Sequence, residues 1–183
     1  WEKCEDYDLW QRAVYAGWKM ANVPEVILRY RQHEAQISTA AWGIQQDLTH
    51  KLRRRHWLKG STEMGIKTEW IDELMKLREP SPIGVNLNFV NLAIGALMQH
   101  TTNEARLIVL DHAFRLYVRA AASSPNVVDF WKKLNKEFGL EAPSTAVFKL
   151  RILRLFRISP DGSIFEQVKR LAMGGNRFFT INQ

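Results

Sequence analysis

The stretch LNFVNLAIGALM, residues 87–98, is the longest apolar-rich run in the chain and decides the fold. Asn88 and Asn91 interrupt it, and it is shorter than the roughly 20 residues that a membrane-spanning helix needs. We therefore predict a helix at residues 86–100 that is buried in a protein core. A second helix, predicted at residues 103–122, forms with it the most apolar pair of the chain and the centre of that core.

The segments on either side of this pair also carry helical patterns. Apolar residues recur every three or four positions, and glycine or proline separates most segments from the next. Further helices are predicted at residues 40–58, 68–77, 126–138, 144–158 and 161–173. Their lengths are irregular, and no fixed period marks a repeat array. The sequence therefore predicts a mainly α protein built as a helical bundle.

The first 38 residues have a different texture. Residues 6–16 carry apolar side chains at helical spacing and acids in the first turn, and Gly17 is expected to end the helix. Residues 18–22 and 26–31 are rich in aromatic and β-branched side chains and flank Pro24, which predicts two short strands joined by a turn. We predict a domain boundary after Ser38, with residues 1–38 as one segment and 39–183 as an α-helical domain.

Composition limits the class of protein and its setting. The chain has 183 residues, of which 46% are hydrophobic, 11% aromatic and 25% charged, which is typical of a folded domain. Cys4 is the only cysteine, so an intrachain disulfide and a Cys-rich zinc site are excluded. No secretory signal pattern opens the sequence. We expect a cytoplasmic location, with the inner face of the membrane as a more specific alternative.

The net charge of +7 is unevenly distributed. Residues 1–38 contain five Lys or Arg against six Asp or Glu, which leaves 21 against 13 in the remainder. A basic domain can favour an anionic membrane surface, a nucleic acid or an acidic polymer, and charge alone does not choose among them.

Two short blocks near the start carry residues suited to catalysis. The first block is EDYDLW at residues 5–10, in which Glu5 and Asp6 lie at a helix start. The second block is LRYRQH at residues 28–33, which contains Arg29, Arg31 and His33. Inverting sugar transfer needs a carboxylate to take the proton of an acceptor hydroxyl and cations to neutralise the departing diphosphate. Together the two blocks predict sugar transfer.

At these residues the sequence resembles the family 2 glycosyltransferases of the GT-A fold. Their final catalytic segment is similar to E-D-Y-D-L-W-L-R, then a gap, then L-P-E-V-L-L-R-Y-R-x-H-x-x-x-x-S. The match covers residues 5–12, residues 23–33 and Ser38, about the first fifth of the chain. The resemblance implies that residues 1–38 are a helix-plus-β-hairpin remnant of a GT-A α/β catalytic lobe.

The resemblance also implies roles for individual residues. Asp6 would be the catalytic base, and Glu5 beside it would hold the acceptor. Arg31 would lie next to the donor diphosphate, and His33 would bind the divalent metal, Mg²⁺ or Mn²⁺, or the diphosphate itself. The implied partners are a nucleotide-sugar donor and a saccharide or lipid-linked acceptor, as in surface polysaccharide or glycolipid synthesis.

The nucleotide-binding half of that family and its Asp-x-Asp metal motif do not occur in these 183 residues, which begin at Trp1 rather than Met. We therefore expect the chain to be the C-terminal part of a longer enzyme. His33 alone offers too few ligands for a stable metal site. We expect this part to be inactive by itself and to bind no metal without the missing half.

The main alternative is a non-catalytic basic helical module that binds nucleic acid or an anionic membrane. The acidic residues at the start of the first helix also have a purely structural explanation, because the helix dipole stabilises negative charge there. A basic run in the helix at 40–58 is interpreted first as a solvated face; it comprises Lys51, Arg53, Arg54, Arg55 and Lys59. No motif that reads DNA or RNA is present, so nucleic acid is not the partner we expect.

The helix at 144–158 is basic and amphipathic. Arg151, Arg154 and Arg157 are three residues apart and form one stripe, and we expect Phe148, Ile152 and Leu155 to face the core on the other side. The alternative is that this helix lies on anionic lipid. Peripheral membrane contact and self-association are the partner roles left open for the helical domain.

Overall fold

A computed structural model describes residue 2 and residues 4–29, 42–79 and 82–159. Its regular structure within these residues consists of helices: α1 (Glu5–Tyr15), α2 (Trp42–Ser61), α3 (Thr68–Lys76), α4 (Leu87–Gln99), α5 (Asn103–Ala120), α6 (Val127–Glu137) and α7 (Ser144–Leu155). Each matches a predicted helix, which confirms the mainly α class. The helix predicted at residues 161–173 and the boundary predicted after Ser38 lie outside the described residues.

The described residues fall into two compact units, one within Trp1–Trp57 and one within Leu58–Phe178. The first contains α1 and most of α2, and the second contains the end of α2 and helices α3 to α7. None of the helices that the structure describes is both long enough and apolar enough to span a bilayer.

Helix α4 is the centre of the second unit. It contacts α3, α5 and α6, while α7 packs against α5 and α6. Its buried side chains include Leu87, Val90, Ala93, Ile94 and Met98. The apolar run at residues 87–98 therefore forms the core as predicted.

Two helices end as their glycines predict. The Gly17 N–H donates to the Val14 carbonyl, and the Trp18 N–H donates to the Ala13 carbonyl, both at 3.0 Å. This paired closure needs a left-handed residue, and Gly17 has φ of 79°. The same closure ends α6 at Gly139, where φ is 68°.

The β-hairpin predicted after α1 is not shown. Residues 18–29 have no strand, and the end of the second predicted strand, from residue 30 onward, lies outside the described residues. Val26, Ile27 and Leu28 are 88%, 80% and 74% exposed. A two-stranded hairpin is marginal without a further surface to pack on, and these side chains have none among the described residues.

Helix α7 packs through a different face from the one predicted. Phe148 and Leu155, which we expected in the core, are 66% and 74% exposed, and Ile152 is half-buried. The core-facing residues are Val147, Leu150 and Leu153. The prediction was wrong because α7 has two apolar faces, and helical periodicity alone does not tell which of them meets the bundle.

Candidate functional site

Three acids begin α1, and the structure places them in different environments. Glu5 and Asp6 are exposed, whereas Asp8 is buried. Asp6 Oδ1 accepts a hydrogen bond of 2.7 Å from the Tyr7 backbone N–H, one of the first N–H groups that lack a partner within the helix. No cation among the described residues forms an ion pair with Glu5 or Asp6. Both carboxylates are therefore open to solvent.

Asp8 is held by two arginines. Arg12 Nε lies 2.9 Å from its Oδ2, and the Arg55 guanidinium of α2 donates to its Oδ1. The hydrogen bond from Arg55 is the main cause that lowers the pKa of Asp8 below its usual value, against burial, which raises it. A carboxylate stabilised as an anion in this way is a poor base, so Asp8 joins α1 to α2 and has no catalytic role that we assign.

Tyr15 and His56 form a second link between these helices. The Tyr15 hydroxyl donates to the His56 carbonyl at 2.7 Å, and its oxygen lies 2.8 Å from His56 Nδ1. Because the hydroxyl hydrogen is used, Nδ1 carries the proton and donates to Tyr15, which assigns the imidazole tautomer. Burial lowers the pKa of His56, and the Arg55 charge lowers it further, which favours the neutral ring.

The start of α1 is anchored by Cys4. Its buried thiol lies 3.7 Å from the Gln45 carbonyl and 3.6 Å from Thr49 Oγ1, both on α2. Cys4, Asp8 and Tyr15 share one side of α1 because they are four and seven residues apart. Asp6, Trp10 and Val14 follow one another at intervals of four on another side, which is exposed. Asp6 therefore lies on the face that does not meet α2.

The structure describes part of the predicted site. Glu5 and Asp6 are adjacent at the start of α1, whereas Arg31 and His33 lie outside the described residues, so their predicted position opposite Asp6 is not described. In the described part of the chain, no three His, Cys, Asp or Glu side chains are grouped so that they could hold a metal ion.

The sequence did not predict the Asp8 and His56 contacts. The one local signal is the spacing of four between Asp8 and Arg12, which suits an ion pair on a helix. Arg55 lies 47 residues from Asp8, and His56 lies 41 residues from Tyr15. Contacts at such separations follow from the packing of α1 on α2, for which the sequence contains no local motif.

The basic run of α2 is largely engaged within the protein. Lys51 pairs with Asp47 at 2.6 Å, and the Arg53 guanidinium lies 5.9 Å from the centre of the Tyr7 ring. Arg55 pairs with Asp8. Arg54 and Lys59 also have interaction partners. Each of these cations therefore has an interaction partner within the chain.

None of three comparisons, with models of protein families, with curated proteins and with solved structures, finds a match to this chain.

Proposed function

We propose that this chain is the C-terminal part of an inverting glycosyltransferase that transfers a sugar from a nucleotide-sugar donor to a saccharide or lipid-linked acceptor. The observation that carries the proposal is the two-block match, at residues 5–12 and 23–33, to the final catalytic segment of family 2 glycosyltransferases. A cytoplasmic location, where the single cysteine stays reduced, is part of the proposal.

The environment of Asp6 supports its role as the base. A general base must reach the hydroxyl whose proton it removes, and it must not be neutralised by a fixed cation. Asp6 is exposed and has no ion-pair partner among the described residues, whereas Asp8 has two. Of these two aspartates in the motif, Asp6 is the one suited to proton transfer.

In the proposed reaction, the Asp6 carboxylate takes the proton as the acceptor oxygen attacks the anomeric carbon. The bond from that carbon to the diphosphate breaks, and its electron pair leaves on the phosphate oxygen. Glu5 accepts a hydrogen bond from the acceptor, and Arg31 offsets the charge of the diphosphate. Mg²⁺ or Mn²⁺ belongs to the intact enzyme, to which this chain would contribute His33.

Exposed apolar side chains in the first unit support a larger catalytic lobe. Trp10 and Trp18 are 53% and 67% exposed, and Val26, Ile27 and Leu28 are more exposed still. Soluble proteins rarely leave so many large apolar groups of one segment in water, so they indicate a surface for packing. In this proposal the rest of the catalytic lobe covers that surface.

The test is Asp6→Asn in the protein that carries the complete catalytic lobe. Loss of a general base is expected to lower kcat for sugar transfer by about 10²–10⁴-fold. The free energy of unfolding should fall by no more than about 1 kcal/mol, the contribution of an acid near the positive end of the helix dipole, because the carboxylate is exposed. Donor binding should be retained. Glu5→Gln should affect acceptor KM more than kcat. Unchanged turnover in Asp6→Asn would remove Asp6 as the base.

Asp8→Asn is the matched control, because it makes the same chemical change two residues away. It should lower the urea midpoint through loss of the contacts with Arg12 and Arg55, and kcat of the folded fraction should remain close to that of the parent protein.

The competing function, a basic module that binds nucleic acid, predicts salt-sensitive binding to any duplex that does not depend on Asp6. The internal partners of the α2 cations disfavour it.

A further inference from the structure

Helix α7 presents a second apolar face to solvent. Its core face is Val147, Leu150 and Leu153, which are 8%, 0% and 2% exposed. Phe148 and Leu155 lie seven residues, and so two turns, apart on the other side. They are 66% and 74% exposed, and Phe156, which follows directly, is 64% exposed. We call Phe148, Leu155 and Phe156 the α7 stripe.

Arginines accompany the α7 stripe. Arg151 is three residues after Phe148 and four before Leu155, so it lies between them on the same side of the helix, and the predicted separation of Arg151 from these apolar residues was wrong. Arg154 is four residues after Leu150, so it lies towards the core-facing side, and together with Arg157 it stands at the C-terminal end of the helix. All three are exposed, and none forms an ion pair with a residue in the described part of the chain. Residues 142–159 contain no Asp or Glu.

A half-open surface cavity of about 410 Å³ adjoins two of these arginines. Arg154 and Arg157 form one side, and the turn between α5 and α6 forms the other. That turn contributes Ala122, Ser123, Ser124 and Pro125. Two arginines that line one cavity suit a phosphate group, for which arginine offers several N–H donors in one plane.

Arg157 occupies a position that glycine would fill with less strain. Its φ is 50°, and among the described residues it is the one that has positive φ without being glycine. Its N–H donates to the Arg154 carbonyl at 3.1 Å, and the Ile158 N–H donates to the Leu153 carbonyl at 2.9 Å. This is the closure that Gly17 and Gly139 make in α1 and α6. Residues held in such sparsely populated backbone conformations are concentrated at functional positions, which directs attention to the Arg157 side chain.

We propose that α7 and Phe156–Arg157 dock this protein on an anionic phospholipid surface. The α7 stripe enters the boundary between headgroups and acyl chains, Arg151 contacts lipid phosphates, and the cavity beside Arg154 and Arg157 receives one headgroup phosphate. The pattern fits lipid because a long cation, Arg151, flanks the exposed apolar groups and two more arginines stand at the end of the helix, while residues 142–159 contain no acid. This proposal does not depend on sugar transfer.

Flotation of the 183-residue chain with two kinds of vesicle tests the proposal. One kind is pure phosphatidylcholine, and the other contains 30% phosphatidylserine. The chain is expected to float with the anionic vesicles alone, and less so as salt rises. Because each arginine near an anionic surface contributes about fivefold to partition, Arg151→Glu with Arg154→Glu should weaken binding at least about 25-fold. Equal flotation on both vesicles overturns the proposal.

Matched variants distinguish binding through the α7 surface from a general effect of net charge or of exposed apolar side chains. Lys132→Glu with Lys133→Glu makes the same charge change on exposed positions of α6 and should affect flotation much less. An equal loss in this control means that binding follows net charge, which overturns the assigned surface. Leu155→Gln should weaken binding about tenfold. Leu107→Gln changes a residue of α5 that is 66% exposed, and it should leave vesicle binding unchanged.

Arg157→Gly gives a result that a purely structural role does not predict. Glycine adopts positive φ readily, so the urea midpoint should rise, while flotation on anionic vesicles should fall about fivefold. Unchanged flotation overturns the role of the cavity.

Leu155→Gln also tests whether protein, rather than lipid, packs on the α7 stripe. A lowered urea midpoint, or a self-association that this variant abolishes, would show that protein covers the stripe and would overturn lipid docking. Asp6→Asn should float like the parent chain, so the failure of either proposal is seen separately.

Discussion

Tyr117→Phe is expected to lower the free energy of unfolding of the second unit by about 1–3 kcal/mol. Tyr117 is completely buried, and its hydroxyl donates to Oδ1 of Asn91, which is itself buried. The Asn91 Nδ2 donates in turn to the Phe130 carbonyl at 3.0 Å. Removing the hydroxyl leaves the buried Asn91 Oδ1 without this hydrogen-bond donor. The expected loss of free energy of unfolding is therefore that of a buried acceptor without a hydrogen bond.

Little of the expected loss comes from packing. Phenylalanine keeps the ring, which lies 5.3 Å from the Trp131 ring, centre to centre, at a tilt of 60°. Burial also raises the pKa of Tyr117 above its usual value, so the hydroxyl remains a donor throughout the neutral range. The effect should therefore be the same at pH 6 and pH 8.

Urea denaturation followed by far-ultraviolet circular dichroism at 25 °C measures the change. Tyr7→Phe is the matched control, because the Tyr7 hydroxyl has no hydrogen-bond partner among the described residues, and its cost should stay below about 0.5 kcal/mol. In an Asn91→Leu background, Tyr117→Phe should cost less than it does alone, since the acceptor is gone. A loss for Tyr117→Phe no greater than that for Tyr7→Phe would refute the argument.

Two further predictions concern packing and pH. Leu150→Ala should lower the free energy of unfolding by about 2–5 kcal/mol, measured by urea denaturation, because Leu150 is fully buried. Leu155→Ala should lower it by less than about 0.5 kcal/mol, because Leu155 is exposed. Similar losses for the two variants would contradict the assigned faces of α7. Acidification should lower the urea midpoint, because the pKa of His56 in the folded protein lies below the ordinary value of 6.5. The stability that this shift contributes is fully present above pH 6.5, and it is lost as the pH falls from 6.5 towards the lowered pKa. In His56→Gln the midpoint should change less between pH 8 and pH 5, and parallel curves would exclude the effect. The lowered pKa of Asp8 adds a similar loss only below its ordinary 3.8.

The helices were predictable because their signals are local. Periodic apolar residues, Gly17 and Gly139 give the position and ends of α1 and α6 without knowledge of the rest of the fold. The face of α7 was not predictable, because Leu150 and Leu155 are equally apolar and only the arrangement of the bundle decides which is buried.

The candidate site divides in the same way. Asp6 lies at the start of α1, as the sequence predicts, and is exposed, while its role as a base stays a prediction. The pairing of Asp8 with Arg55 depends on how α2 lies against α1, and no residue near Asp8 in sequence indicates it. The hairpin predicted at residues 18–22 and 26–31 is not shown among the described residues, because side chains of high strand propensity form strands only against a partner surface.

The buried thiol of Cys4 offers a built-in reporter. It is the sole sulfhydryl of the 183 residues, and it is enclosed between the beginning of α1 and the α2 residues Gln45 and Thr49. A thiol-reactive dye can reach it only when these two helices separate, so the labelling rate under native conditions counts those openings. Asp8→Asn and His56→Gln should each accelerate labelling, and the Tyr117 variant, whose defect lies elsewhere, should leave the rate unaltered.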